Sequence, residues 1–141
     1  MCDIRTMTIN DYDEVYDIWI NTAGMGLNTI DDSREGIAQY LKRNPNTSFV
    51  ALCDGRVAGV IMAGHDGRRG YIYHTAVLME YRKRGIATKL VDSVMNALKA
   101  EGIHKVALVA FEKNEIGNEF WEAKGFEIRT DLNYRNKSLG E

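Results

Sequence analysis

The spacing of apolar positions changes several times along the chain, and each change predicts a new element. A short strand is expected over residues 4–8, followed by two helices. The first helix covers about 10–21, and the second begins at Asp32 or Ser33 and ends before Asn44. Two apolar runs, 49–53 and 57–63, then flank Asp54-Gly55, a pair that favours a tight hairpin turn because both residues accept positive φ.

The second half of the chain alternates strand and helix patterns. A strand is expected over 71–78, a helix over about 85–100 that Gly102 ends, and a strand over 105–111. A short helix over 115–124 and a last strand over 126 to about 134 complete the pattern. This order predicts a mixed α/β fold, with hairpins in the first half and strand–helix–strand units in the second. We expect one domain over residues 1–141.

Composition and charge narrow the class of protein. The 141 residues carry 18 Lys and Arg against 20 Asp and Glu, a net charge of -2, so there is no general attraction to nucleic acid or to a membrane surface. No apolar stretch approaches membrane-spanning length, and the first residues lack a signal-peptide layout, which predicts a cytoplasmic protein. Cys2 and Cys53 are expected to be reduced rather than disulfide-bonded, and the three histidines lack metal-ligand spacing, so no metal is expected.

One segment, residues 77–90, combines features that suit an anion. A strand ends there, three consecutive cations follow, and a helix begins at Gly85 with small residues after it. Unpaired N–H groups at a helix start attract phosphate, so the segment is interpreted as a phosphate cradle, with an ordinary solvated turn as the alternative. The glycine spacing of P-loops and of dinucleotide-binding loops is absent.

Two motifs resemble those of the GNAT N-acetyltransferase superfamily. Arg82-x-x-Gly85-x-Ala87 is similar to its acetyl-CoA signature, and residues 114–126, from Asn114 to a final Gly-Phe, resemble its second signature. The element order resembles this fold across nearly the whole chain. The resemblance implies a mostly antiparallel sheet with a parallel pair at the coenzyme A site, flanked by about four helices.

The resemblance also implies roles for particular residues. Val77 would bind the pantetheine arm at the strand end, where a backbone N–H polarises the thioester carbonyl. Asn114 would bind the same arm, or serve as a plain helix cap, or both. The backbone of the remaining segment would hold the pyrophosphate of acetyl-CoA. Its residues are Arg82, Lys83, Arg84, Gly85, Ile86, Ala87 and Thr88.

The proton-transfer residues of the superfamily are not found at their usual positions. Trp121 stands where relatives often have a tyrosine acid, and Val109 where some have a glutamate. His74 and Tyr73 are therefore the candidate catalytic residues. His74 has the better chemistry for a base near neutral pH. In a regular strand, however, Tyr73 shares the face of Val77 while His74 points the other way, unless a bulge intervenes. Tyr73 then suits an acceptor-site wall better than a catalyst.

The expected activity is transfer of an acetyl group from acetyl-CoA to an amine by direct attack in a ternary complex. The acceptor class is open between small molecules and peptide or protein amines. A non-catalytic module that binds coenzyme A is the alternative. A nucleic-acid-binding domain built on residues 82–84 is less consistent with the negative net charge. The final predicted strand offers an edge for a homodimer.

Overall fold

The computed structural model describes residues 2–140, and the chain divides into two compact units, residues 1–109 and 110–141. A five-stranded sheet in the order β1-β2-β3-β4-β5 forms the centre of the first unit. Its strands are β1 (Cys2–Thr6), β2 (Phe49–Cys53), β3 (Arg56–His65), β4 (Gly70–Val77) and β5 (Val106–Leu108). Its helices are α1 (Tyr12–Ile20), α2 (Arg34–Arg43) and α3 (Ile86–Ala100). The first four strands pair antiparallel, and β5 pairs parallel to β4.

The helices cover the two faces of this sheet. On one face, α1 and α2 bury a cluster that includes Trp19 and Ile37 against Val60 and Met62 of β3. On the other face lies α3, whose buried side is formed by Ile86, Leu90, Val91, Val94 and Leu98. A Cβ at Gly59 of β3 would lie 3.3 Å from atoms of Ile86 and Leu90, so this glycine lets α3 approach the sheet closely.

The predicted hairpin at Asp54-Gly55 is confirmed. Both residues have positive φ, 53° and 78°, which is the backbone that joins two antiparallel strands with matching twist. Ser33 is the cap of α2, because its Oγ accepts the N–H of Gly36 at 3.0 Å. Asp32 has a different role, described below.

A β-bulge interrupts β4. Its register with β3 shifts between Ile61 and Ala63. Only one residue of β3 lies in that interval, whereas β4 contributes two, Tyr73 and His74. A bulge of this kind changes which side chains share a face, because the alternation of side chains along the strand is broken once.

Contrary to expectation, Cys2 and Cys53 form a disulfide. The two residues lie directly opposite each other in the β1–β2 register, with their Cα atoms 4.3 Å apart. Cysteine spacing in a sequence does not reveal such a cross-strand pair, because the pairing depends on the register of two strands that are 51 residues apart.

The second unit contains the helix α4 (Glu115–Ala123), as predicted. The strand predicted over 126–134 is wrong, since residues 126–140 form neither strand nor helix. The alternating apolar residues of that stretch are largely exposed, with Ile128 87% and Tyr134 67% accessible. Alternation favours a strand only where a neighbouring strand supplies hydrogen bonds, and residues 110–140 contain no strand. The predicted edge for a homodimer is therefore absent from the described part of the chain.

No helix within residues 2–140 has the length and hydropathy to cross a bilayer.

Candidate active site

The loop from β4 to α3 has the backbone of an anion site. Lys83 and Gly85 both adopt the left-handed conformation, with φ of 64° and 79°. α3 begins immediately after Gly85, and its first intrahelical bond is donated by Lys89 to the Gly85 carbonyl at 3.1 Å. The N–H groups of Ile86, Ala87 and Thr88 donate to no acceptor within residues 2–140. These N–H groups and the positive end of the helix dipole provide the fit that a phosphate group requires.

Two of the three cations in the loop also hold its shape. Arg82 Nε donates to the Val77 carbonyl at 3.0 Å, and an Arg84 guanidinium nitrogen donates to the Glu80 carbonyl at 3.1 Å. The loop is thereby tied to the end of β4, which brings Val77 and the 82–88 segment together as the sequence predicted. The side chains of residues 82–84 are exposed, so their positive charge is available to a polyanionic ligand.

The outer edge of β4 lies beside this loop. Leu78 N donates to the Ala58 carbonyl at 2.8 Å, so at this end of β4 Leu78 and the residue two positions before it direct their backbone groups to β3. Thr75 and Val77 alternate with them and direct their backbone groups to the opposite edge. Within the first unit β5 pairs only with residues 70–72 of β4, so no strand covers the edge at Thr75 and Val77. An extended amide-containing chain can hydrogen-bond there.

His74 is held by a buried carboxylate. Its Nε2 lies 2.8 Å from Oδ1 of Asp32, and the two side chains are 14% and 9% exposed. The ring of Trp19, from α1, meets the imidazole edge-on at 4.9 Å between centroids. His74 is therefore fixed on the α1/α2 face of β4, one residue from the free edge at Thr75.

Asp32 is itself fixed by the segment before α2. Its Oδ2 accepts the N–H of Asn28 at 2.8 Å, and its carbonyl accepts the Tyr12 hydroxyl at 2.6 Å. Burial acts to raise the pKa of Asp32, but the hydrogen bonds from His74 and from Asn28 outweigh it and hold this pKa below its ordinary value. The carboxylate is thus ionised at neutral pH. Acidic residues are common at the start of a helix, so nothing in the sequence indicated that Asp32 pairs with a histidine 42 residues away.

Tyr73 does not share the face of Val77. Its ring packs against that of Tyr40 from α2 at 5.7 Å and that of Tyr71 at 4.6 Å. The side chain of Val77 instead points to the α3 side, where a Cβ on Gly59 would lie 3.3 Å from it. The expectation from regular alternation is wrong because the bulge brings Tyr73 and His74 to one face. The half-exposed Tyr73 ring stands next to the imidazole as part of an aromatic wall.

Asn114 belongs to the second unit and caps α4. Its Oδ1 accepts the N–H of Gly117 at 3.0 Å, so the capping function foreseen for it is confirmed. A Cβ at Gly117 would lie 2.5 Å from the Asn114 amide, so a glycine there leaves room for the cap. Trp121, at the place of the usual tyrosine acid, packs edge-on between Phe120 and Phe126 at 5.0 and 5.2 Å.

Comparisons with known proteins relate this chain to a family. The sequence model of the acetyltransferase (GNAT) family matches residues 12–126. Acetyltransferase SG1711 of Sodalis glossinidius is 31% identical over 139 residues, which cover 99% of this chain and 96% of that protein. Acetyltransferase plu1384 of Photorhabdus laumondii is 35% identical over 113 residues, 80% of this chain and 78% of that protein.

Solved structures share the fold. Ard1 from Thermoplasma volcanium superposes with a TM-score of 0.81 at 21% identity, over 91% of this chain and 84% of that one. AAC(6')-Iy, in complex with the bisubstrate analogue CoA-S-monomethyl-acetylneamine, gives 0.77 at 21% identity, over 98% and 99% of the two chains.

The chain therefore belongs to the acetyltransferase (GNAT) family. It is an N-acetyltransferase that moves an acetyl group from acetyl-CoA, its cosubstrate, to an amine. A module that only binds the coenzyme is not favoured.

Proposed function

We propose that the acetyl group passes directly to the amine in a ternary complex, with His74 as the general base. The observation that carries this proposal is the position of His74, which is fixed by Asp32 one residue from the unpaired edge of β4. An amine must lose a proton to become an amide, and amines of lysine type are mostly protonated at neutral pH. A nearby imidazole suits that task.

In this proposal the β4–α3 loop and the β4 edge hold acetyl-CoA, which supplies the activated carbonyl. The free N–H groups at the start of α3 would bind the pyrophosphate, supported by the charges of Arg82, Lys83 and Arg84. The outward backbone groups of Thr75 and Val77 would bind the pantetheine amides and polarise the thioester carbonyl. Asn114 is proposed as a further contact to the same arm, on the strength of the motif that it opens.

The acceptor is proposed to be an amine of a small molecule or of a peptide or protein. AAC(6')-Iy is an aminoglycoside acetyltransferase by name, and it adopts this fold. The aromatic wall of Tyr40, Tyr71 and Tyr73 lies on the face that His74 occupies, so Tyr73 would contact the acceptor rather than carry a proton. The proposal includes a cytoplasmic location, which the need for acetyl-CoA supports, and one working domain, which the family match over residues 12–126 supports.

The loop is tested by calorimetric titration with acetyl-CoA of the wild type and of Gly85→Val. A branched residue strains the left-handed backbone and crowds the N–H groups, so the dissociation constant should rise about tenfold or more. The matched control is Gly102→Val, since Gly102 also has positive φ, 83°, and open space around it but lies at the far end of α3. Equal affinity of the two variants would contradict the proposed cradle.

The chemistry is tested by incubating the protein with acetyl-CoA and a panel of amines and peptides while free thiol is measured. His74→Gln should lower kcat/KM by about 100-fold without changing the affinity for acetyl-CoA. An unchanged rate for this variant would remove His74 from the mechanism.

A further inference from the structure

The hydrogen bond between His74 and Asp32 fixes more than the position of the imidazole ring. Asp32 is 7% exposed, and both of its carboxylate oxygens are engaged, Oδ1 with His74 Nε2 and Oδ2 with the N–H of Asn28. Among the described residues that pack on the imidazole, α1 contributes the uncharged Trp19 and the segment before α2 contributes Asp32. The carboxylate is therefore the charged group that the imidazole faces on this side of the sheet.

The chemistry of the two groups decides where the imidazole proton lies. An ionised carboxylate is only an acceptor, whereas a neutral imidazole has one donor nitrogen and one acceptor nitrogen. A hydrogen bond at 2.8 Å therefore requires that Nε2 carries the hydrogen. In the neutral imidazole the lone pair is then on Nδ1, for which the structure gives no hydrogen-bond partner within residues 2–140.

We propose that Asp32 is a positioning residue that keeps His74 in the tautomer with a basic Nδ1, and this inference rests on the proposed role of His74 as base. An amine that arrives as an ammonium ion first releases one proton to solvent. As the neutral amine nitrogen then forms its bond to the acetyl carbon, the second proton passes to Nδ1. The electrons of the C–S bond leave with the thiolate sulfur, which takes a proton from solvent. The protonated imidazole, stabilised by the carboxylate, then releases its proton to solvent and returns to the starting tautomer.

The variant Asp32→Asn separates this role from simple structural support. The amide oxygen should take the place of Oδ2 and accept from Asn28 N–H, which leaves the NH2 group to face His74. The amide is then the donor and Nε2 the acceptor, so the hydrogen must move to Nδ1 and the base is lost. The shape of the side chain and the number of hydrogen bonds are kept.

The experiment combines imidazole ¹⁵N NMR with steady-state kinetics on the full chain. In the wild type, the His74 spectrum should show a protonated Nε2 and an unprotonated Nδ1. Asp32→Asn should show the reverse assignment and a kcat/KM about 100-fold lower, with unchanged affinity for acetyl-CoA. Asp31→Asn is the matched control, because Asp31 is the exposed neighbour, and it should behave as the wild type.

The outcomes separate the two proposals. A protonated Nδ1 in the wild type overturns the inference, and this measurement does not depend on any variant folding. Wild-type kinetics in Asp32→Asn, together with a strong loss in His74→Gln, overturns the positioning role while His74 remains the base. Wild-type kinetics in His74→Gln removes both proposals.

Discussion

The Tyr81 hydroxyl donates to Oδ2 of Asp54 at 3.1 Å, so the β2–β3 turn is joined to the loop that leads into α3. The Tyr81 ring is buried and lies under the Arg84 guanidinium, 5.0 Å from its centroid. Burial, together with the bond to Asp54, raises the pKa of Tyr81, so the phenol stays protonated and keeps donating through the neutral range. The sheet thereby supports the proposed phosphate loop from a second point.

Replacing Tyr81 by Phe should loosen this loop without creating a cavity in the core. The ring and its contact with Arg84 remain, while the bond to Asp54 is lost. We expect the dissociation constant for acetyl-CoA to rise by about two- to tenfold, as for a single lost hydrogen bond. Calorimetric titration checks this, with Tyr16→Phe as the control, because Tyr16 is a partly exposed tyrosine on α1. Equal affinities for both variants would show that the loop does not depend on the turn.

The capping role of Asn114 and its proposed contact with the pantetheine arm can be separated by two substitutions. Asn114→Ala removes the cap of α4 and should lower the free energy of unfolding by about 1 kcal/mol. Asn114→Ser keeps a capping oxygen and should recover most of that stability. If Asn114 also contacts the pantetheine arm, both variants should bind acetyl-CoA more weakly. Thermal unfolding and titration measure the two effects, and wild-type affinity in Asn114→Ser would leave the residue with its capping role alone.

Asp11 gives the protein a defined sensitivity to acid. Burial acts to raise the pKa of this carboxyl, but the Arg5 guanidinium at 2.7 Å and the Thr8 N–H at 2.9 Å outweigh it and lower the pKa below the ordinary 3.8. A carboxyl with a lowered folded-state pKa stabilises the fold above its unfolded value, and this contribution is lost as the pH falls through the folded value. Asp11→Asn should cost about 1–3 kcal/mol near pH 7.

Urea unfolding near pH 7 and near pH 3 measures this. The difference between the wild type and Asp11→Asn should shrink at the lower pH, because below the ordinary pKa of 3.8 the Asp11 carboxyl of the unfolded chain takes up a proton and the stabilisation begins to be lost. Asp13→Asn is the control, since the Asp13 side chain is 86% exposed and its pair with Arg34 contributes little. A difference that stays constant across the two pH values would contradict the assignment.

The Cys2–Cys53 disulfide should stabilise the first unit. It closes a loop of 51 residues, and its reduction should lower the free energy of unfolding by about 2–4 kcal/mol. The double variant Cys2→Ser, Cys53→Ser should unfold at the same temperature with and without reductant. Thiol titration of denatured protein that has not met a reductant should find no free cysteine. Two free thiols in that sample would mean that the strands pair without the covalent bond.

Local chemistry made most of the first unit predictable. The Asp54-Gly55 turn, the start of α2 at Asp32 or Ser33 and the helix over about 85–100 each depend on residues close in sequence, and all three are confirmed, with Ser33 as the cap. The prediction of a strand over 126–134 was wrong for the opposite reason, because a strand depends on residues that are distant in sequence. Alternation at Ile128 and Tyr134 describes a side-chain pattern, whereas a strand needs a partner that supplies its ladder.

The proposed phosphate loop could be predicted from the sequence because it is a continuous segment, and His74 was a candidate base, whereas its pairing with Asp32 could not be predicted. His74 and Asp32 are 42 residues apart, and their contact depends on the docking of α2 against β4. The face of Tyr73 depends on a single unpaired residue in the β4 ladder, which no local pattern announces. Both features belong to tertiary structure.

The bulge in β4 also determines how many adjacent side chains this strand can place on one face. In a regular strand, two side chains on the same face are separated by a residue on the other face, so adjacent residues contact different surroundings. Here adjacent residues, Tyr73 and His74, serve the same side of the sheet, one toward the aromatic wall and one toward Asp32. Deleting either residue would restore regular alternation, and Tyr71, whose ring packs against that of Tyr73, would still share a face with the residue that is kept. What the deletion would remove is one of two adjacent side chains on this face, so the extra residue lets one short stretch of β4 supply both the aromatic wall and the partner of Asp32.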